Sequence, residues 1–255
     1  MIESVNPYLI SPHHPLTVSV IGCGGTGSLV LGKLARLNAA LRMAEHPGLM
    51  VTAIDGDTVE ESNLGRQGFY PSDIGRSKAA VLTERINRCF GYNWRSIPEH
   101  VFSVPRCNIT FICVDSMDIR RQLYNTDFYE SYSRDDQHRR AYIIDCGNTH
   151  SSGQVILYAP KGNLRSMLDL FGDAEIAQSH EPSCSTFTTL RDQSLFINDM
   201  ISTVAVNALY ELLSEMQIDY NGIMIDLKTF KFVKIPIHAK KSTTASSENA
   251  DEGAI

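Results

Sequence analysis

Residues 18–38 read VSVIGCGGTGSLVLGKLARLN, and the change of character inside them decides the fold class. Val18, Val20 and Ile21 close an apolar, β-branched run that suits a buried strand. Gly22, Gly24, Gly25 and Gly27 follow, and Leu29, Val30, Leu34 and Leu37 then recur at helical spacing, which predicts a helix from Thr26 to about Ala40. A glycine-rich turn between a strand and a helix lets backbone N–H groups and the helix N-terminus close on an anion. By itself the turn suits a dinucleotide carrier and a mononucleotide donor equally.

Outward from this turn the same alternation continues. GLMVTAID is a second strand ending at Asp55, and SKAAVLTERINRCF is an amphipathic helix with Ser77 as its cap. ITFICVDS is a buried strand that breaks at Asp115, and AYIIDCG and GQVILYAP are further strands. LFINDMISTVAVNALYELLSEM is a long apolar helix, and NGIMIDLKTFKFVKIPI reads as a hairpin. The expectation is an α/β, Rossmann-like fold: a mostly parallel sheet with helices on both faces and an antiparallel C-terminal hairpin extension. Residues 1–15 read as an extended arm, 16–237 as one domain and 238–255 as a disordered tail.

Composition narrows the function. The chain of 255 residues is 43% hydrophobic and 20% charged, with a formal net charge of −6. That balance argues against a nucleic-acid surface, which needs clustered Lys and Arg, and no run is apolar enough for a membrane span. The six cysteines, Cys23, Cys89, Cys107, Cys113, Cys146 and Cys184, form no C-x-x-C pair. They read as free thiols of a cytoplasmic protein without a structural zinc. Five of them are expected in or beside strands and helices, where burial shields them, leaving Cys184 as the first to alkylate.

The loop DGDTVEESNLGRQ gathers Asp55, Asp57, Asn63, Arg66 and Gln67 at the carboxyl edge of the sheet, with Lys78 opening the next helix. Asp55 is placed to hold a ribose hydroxyl pair. Two added cations and an amide suit three phosphates and a departing pyrophosphate better than a dinucleotide, whose charge the glycine turn largely meets. Asp115 stands where a magnesium-binding carboxylate would reach those phosphates. The competing reading is an NAD(P)-dependent oxidoreductase, which has no use for Arg66 and Lys78.

In this order the motifs resemble the ThiF/MoeB/HesA superfamily, the adenylating domains shared with ubiquitin-activating enzymes. The resemblance rests on Gly22-x-Gly24-Gly25-x-Gly27, Asp55-x-Asp57, Ser62-Asn63-Leu64-x-Arg66-Gln67, Gly75-x-x-Lys78 and Asp115. Within it the chain looks most like the small ThiF-family members of bacterial PRTRC gene clusters. The resemblance implies ATP and Mg2+ as cofactors, and adenylation of the C-terminal glycine carboxylate of a small ubiquitin-like, β-grasp partner by a homodimer. Asp55 would bind the ribose, Asn63, Arg66, Gln67 and Lys78 the phosphates, and Asp115 the magnesium.

Cys184, in HEPSCSTFTTL, resembles the crossover cysteine that forms a thioester in ubiquitin-activating enzymes. The other reading is an ordinary loop thiol. The long apolar helix has more hydrophobic surface than one packing face needs, which also favours a dimer. One departure stands out: dimeric bacterial members bring an N-terminal arginine to the γ-phosphate, and no Arg precedes Arg36 here. Either His13 and His14 substitute, or another element does, or the chain is a nucleotide-binding module that docks a ubiquitin-like partner without catalysis.

Overall fold

Leu16–Ile21 (β2) is apolar on both faces because both are covered, and five of its six residues are buried. This strand lies between Leu49–Ile54 (β3) and Ile109–Ile112 (β5), parallel to both. The computed structural model describes residues 1–101, 106–125, 141–160, 162–172 and 194–238. Their main sheet has eight strands in the order β10-β9-β7-β6-β5-β2-β3-β4. The flanking members are Arg95–Ile97 (β4), Tyr142–Asn148 (β6), Ser152–Tyr158 (β7), Tyr220–Asp226 (β9) and Lys231–Pro236 (β10). Strands β4, β3, β2, β5 and β6 run parallel, and β7, β9 and β10 continue the sheet antiparallel. The expected mostly parallel, Rossmann-like sheet and its C-terminal hairpin are both present. The short β4 escaped the sequence reading because three residues are too few for an alternation to show.

Helices cover both faces. Gly25–Met43 (α2), Lys78–Phe90 (α3) and Ile197–Ser214 (α6) share one core with Val18, Val20, Val51 and Ile144. On the opposite face Leu123 of Met117–Asn125 (α4) packs with Ile21, Ile54, Ile112 and Ile143. A short helix, Met167–Phe171 (α5), lies against Ile156 through Met167. Ser77 caps α3 as expected, its hydroxyl accepting the Ala80 N–H at 3.3 Å, and Gly91 ends the helix in the left-handed region.

Part of the stretch 1–15 packs against the rest of the chain. Glu3–Ser4 (β1) pairs with Gln217–Ile218 (β8), and Leu9 of Pro7–Ile10 (α1) is fully buried. The proposed tail lies, but for His238, outside the described residues. No helix among the described residues is long and apolar enough to cross a membrane.

The chain leaves β2 toward β3 on one side, and after β4 it returns to β5 on the other. The strand order therefore reverses at β2, and in open α/β sheets ligands bind beyond the carboxyl ends of the strands at such a reversal.

Candidate functional site

The turn after β2 is shaped by backbone contact. Gly22 has φ +87°, and a Cβ there would meet the Cys113 carbonyl oxygen at 2.8 Å. A Cβ on Gly27 would fall on the Gly22 carbonyl oxygen, so the first turn of α2 folds back directly over the end of β2. Gly25 packs on the side chain of Asn198 in α6, with 2.5 Å from the amide nitrogen to an added Cβ. At Gly24, by contrast, an added Cβ would meet only the Gln67 Oε1, 4.0 Å away. Three of the four glycines thus serve the packing of the turn. Gly24 lies where Gln67 faces it.

Asp55 follows directly on β3, with its carboxylate in this turn. One oxygen accepts the Cys23 N–H at 2.5 Å and the other the Asp57 N–H at 2.8 Å. Burial, and next the Asp55 charge, push the Cys23 thiol well up from its ordinary value. A thiolate there is disfavoured, and Cys23 serves as packing.

Lys78 is buried, and its ammonium donates to Asp57 Oδ2 at 2.8 Å. The Lys78 backbone N–H also donates to the Asp57 carbonyl, so the start of α3 is tied twice to the loop after β3. Gly56, Asp57, Thr58, Glu60 and Lys78 line an open depression of about 360 Å³. Asp57 is therefore first of all the counterion of Lys78, and His100 Nε2 approaches its other oxygen at 3.7 Å.

The Asn63–Gln67 stretch is held over the first turn of α2. The Gly68 N–H donates to Ser28 Oγ at 2.9 Å, and Arg85 donates to the Gly68 carbonyl while pairing with buried Asp73. Asn63 is buried and its Oδ1 accepts the Glu60 N–H, so further contact falls to its Nδ2. Arg66 is half-buried, and burial pulls its guanidinium down from the ordinary arginine value. Gln67 Oε1 is buried with no hydrogen-bond partner among the described residues. A buried amide oxygen in that state needs a partner from outside the described residues, a water or a ligand, and rotating the amide would present a donor instead.

Asp115 follows β5. The Cys113 N–H donates to the Ile21 carbonyl at 2.8 Å, and the 113–114 peptide packs on Gly22. Asp115 is exposed and follows directly on the peptide that packs against Gly22. No cluster of three His, Cys, Asp or Glu able to hold a metal occurs among the described residues. Magnesium is commonly held by one or two carboxylates plus substrate phosphates, so the single Asp115 fits a metal that arrives with a nucleotide.

The structure brings Gly22, Gly24, Gly25, Gly27, Asp55, Asp57, Gln67 and Lys78 together beyond the carboxyl ends of β2 and β3, with Asn63 and Arg66 in the loop that carries Gln67 and Asp115 just after β5. Cys184 and its neighbour His180 lie outside the described residues. The expectation that the other five thiols are shielded is corrected by Cys89, which is exposed on α3. It falls near the end of an amphipathic helix, on the solvent side of the stripe. Cys107 is pushed up from its ordinary value by burial. The sequence reading missed Asn198, Arg85, Asp73 and Ser28, whose roles come from contacts between segments far apart in the chain.

A model of the ThiF family matches residues 14–247. Among solved structures, E. coli MccB with ATP is similar over 92% of this chain and 66% of that one, with a TM-score of 0.62 and 16% identity. E. coli MccB with succinimide is similar over 87% of this chain and 64% of that one, at TM-score 0.60 and 16% identity. PaaA is similar over 87% and 64% respectively, at TM-score 0.57 and 14% identity. The chain spans 64–66% of the length of these structures, and the likeness shows a shared fold.

Proposed function

The chain belongs to the ThiF family, and from that premise we propose that it binds ATP with Mg2+ and adenylates the C-terminal carboxylate of a small protein. The partner we propose is a ubiquitin-like, β-grasp protein ending in glycine. The observation that carries this reading is Gln67 Oε1, buried without a partner among the described residues and facing Gly24 of the turn, with the buried Lys78 ammonium close enough to act on Cys23 in the same turn. E. coli MccB has been solved with ATP and, separately, with N-formylated MccA, which is consistent with a nucleotide and a second substrate sharing this fold.

In the proposed reaction a carboxylate oxygen of the partner bonds to the α-phosphorus of ATP. The bond from that phosphorus to the α–β bridging oxygen breaks, and pyrophosphate leaves with the electron pair. Two anions must meet, so the barrier is largely electrostatic, and fixed donors lower it. Amide groups of the turn hold the phosphates, Arg66 and Lys78 offset charge developing on the leaving pyrophosphate, and Asp55 orients the ribose. Magnesium, when bound at Asp115, would neutralise phosphate charge. A following thioester on Cys184, a homodimeric state and a cytoplasmic location belong to the same proposal. The PRTRC subtype does as well.

The test is ATP–pyrophosphate exchange stimulated by a co-encoded small protein ending in glycine. Exchange without a detectable NAD interaction is the expected result, and tighter binding of NAD than of ATP would sink the reading. Cys184→Ala should keep exchange and lose any thiol-reducible adduct with the partner. A second reading, a docking module that binds nucleotide without catalysis, is favoured by the Lys78 ammonium being already engaged by Asp57. It predicts ATP binding with no exchange.

A further inference from the structure

Arg120 is only 4% exposed, yet it carries a full charge into the base of the Asp115 loop. One guanidinium nitrogen donates to Asp145 Oδ1. The other donates to the Val114 carbonyl and, at 2.7 Å, to the Cys146 carbonyl. Tyr124 braces the far side of the same carboxylate, its hydroxyl donating to Asp145 Oδ2 at 2.8 Å. Arg120 and Tyr124 sit on α4 and Asp145 on β6, so one planar group binds the loop after β5 to the neighbouring strand.

The peptide it grips is the one that matters. The Val114 carbonyl belongs to the 114–115 peptide, immediately before Asp115, and the preceding peptide packs on Gly22 of the turn. Holding that carbonyl sets the direction in which the chain presents Asp115. Adhesion between α4 and β6 does not require buried charge, since a well-packed apolar pair often holds elements as firmly as an ion pair. A guanidinium adds a rigid fork of donors able to bridge acceptors on two strands at once. Burial pulls the Arg120 guanidinium down from the ordinary arginine value, and Asp115 is among the negative groups that oppose this, which places its charge within reach.

We propose that Arg120, braced by Asp145 and Tyr124, is a positioning residue that aims Asp115 at the metal–nucleotide site. The proposal rests on the nucleotide reading above and names the device that aligns its metal-binding carboxylate.

Three variants test it: Arg120→Lys, which keeps the charge and loses the fork; Arg120→Met with Asp145→Leu, which replaces the ion pair by apolar side chains; and Tyr124→Phe, which removes only the brace. Two properties are read on variants that melt cooperatively: amide hydrogen exchange at residues 113–116, and the gain in ATP affinity that magnesium confers. Exchange at 113–116 should accelerate about tenfold in the first two variants while α3 is unaffected. The magnesium-dependent gain should fall by roughly 10- to 100-fold, with metal-free ATP affinity unchanged. Tyr124→Phe should move both in the same direction by less.

Variants that fold with wild-type exchange at 113–116, or that keep the wild-type magnesium gain, overturn the proposal. If the wild-type chain binds no ATP in calorimetry, the nucleotide reading fails, and this proposal fails with it. Unchanged exchange beside intact ATP binding sinks the positioning role alone.

Discussion

Lys78 shows how a single residue can satisfy the fold and the proposed chemistry together. Its stem is packed under the loop after β3, and its ammonium meets one carboxylate, Asp57. An arriving phosphate would compete with Asp57 for a cation already stripped of water. Lys78→Met keeps most of the apolar stem and removes the charge. ATP affinity should fall at least about tenfold, near 1.4 kcal/mol, with the fold retained; unchanged affinity in calorimetry would remove Lys78 from the site. His46 carries a prediction about pH. Its Nδ1 accepts the Gly48 N–H at 2.9 Å, and burial lowers its pKa from the ordinary value of 6.5. The fold prefers the neutral ring, so the unfolded chain binds more protons as the pH falls. This contribution to stability is complete above the ordinary value and is lost progressively below it. The melting temperature should drop between about pH 7.5 and 5.5, and less steeply in His46→Asn. Identical slopes would show that His46 plays no part.

At the scale of elements, the glycine turn depends on a helix distant in sequence. Asn198, in the first turn of α6, accepts from Thr26 Oγ1 at 3.1 Å and from Asn148 Nδ2 at 3.0 Å, while its amide lies against Gly25. It thereby joins α2, β6 and α6 at the glycine turn. Asn198→Ala strands the Thr26 hydroxyl and opens a small space, at a cost of about 1–3 kcal/mol in denaturant unfolding. Because the turn loosens, ATP affinity should weaken as well. A variant of wild-type stability would mean that the glycines shape the turn unaided. Helix α6 also corrects an argument about assembly. Its apolar surplus pointed to a partner subunit, but Ile201, Ala205, Ala208, Leu209 and Leu212 are buried within this chain's own core. The helix packs on α2 as well as on the sheet, and that double contact explains its composition.

For the whole molecule, dimerisation now stands on family membership without that support. Sedimentation at micromolar concentration should give about twice 28.4 kDa, and a mass equal to one chain would leave the site to be completed within a single subunit. The sequence by itself determined the class of fold, the central strands, the capped helix α3, the hairpin and the glycine turn with the motifs that mark the ThiF family. These are written in local periods and short motifs, where each residue's role follows from its neighbours in the chain. Only the tertiary structure decided that Lys78 is paired with Asp57, that α6 is core, that β1 and Leu9 pack against the rest of the chain and that Gln67 Oε1 has no partner among the described residues. It alone brought Arg120 to Asp145 and Val114, and Asn198 to Gly25. Such contacts join strands and helices that the sheet order places side by side, and no local pattern records them, because a buried polar side chain is chosen by the acceptors that long-range packing sets around it.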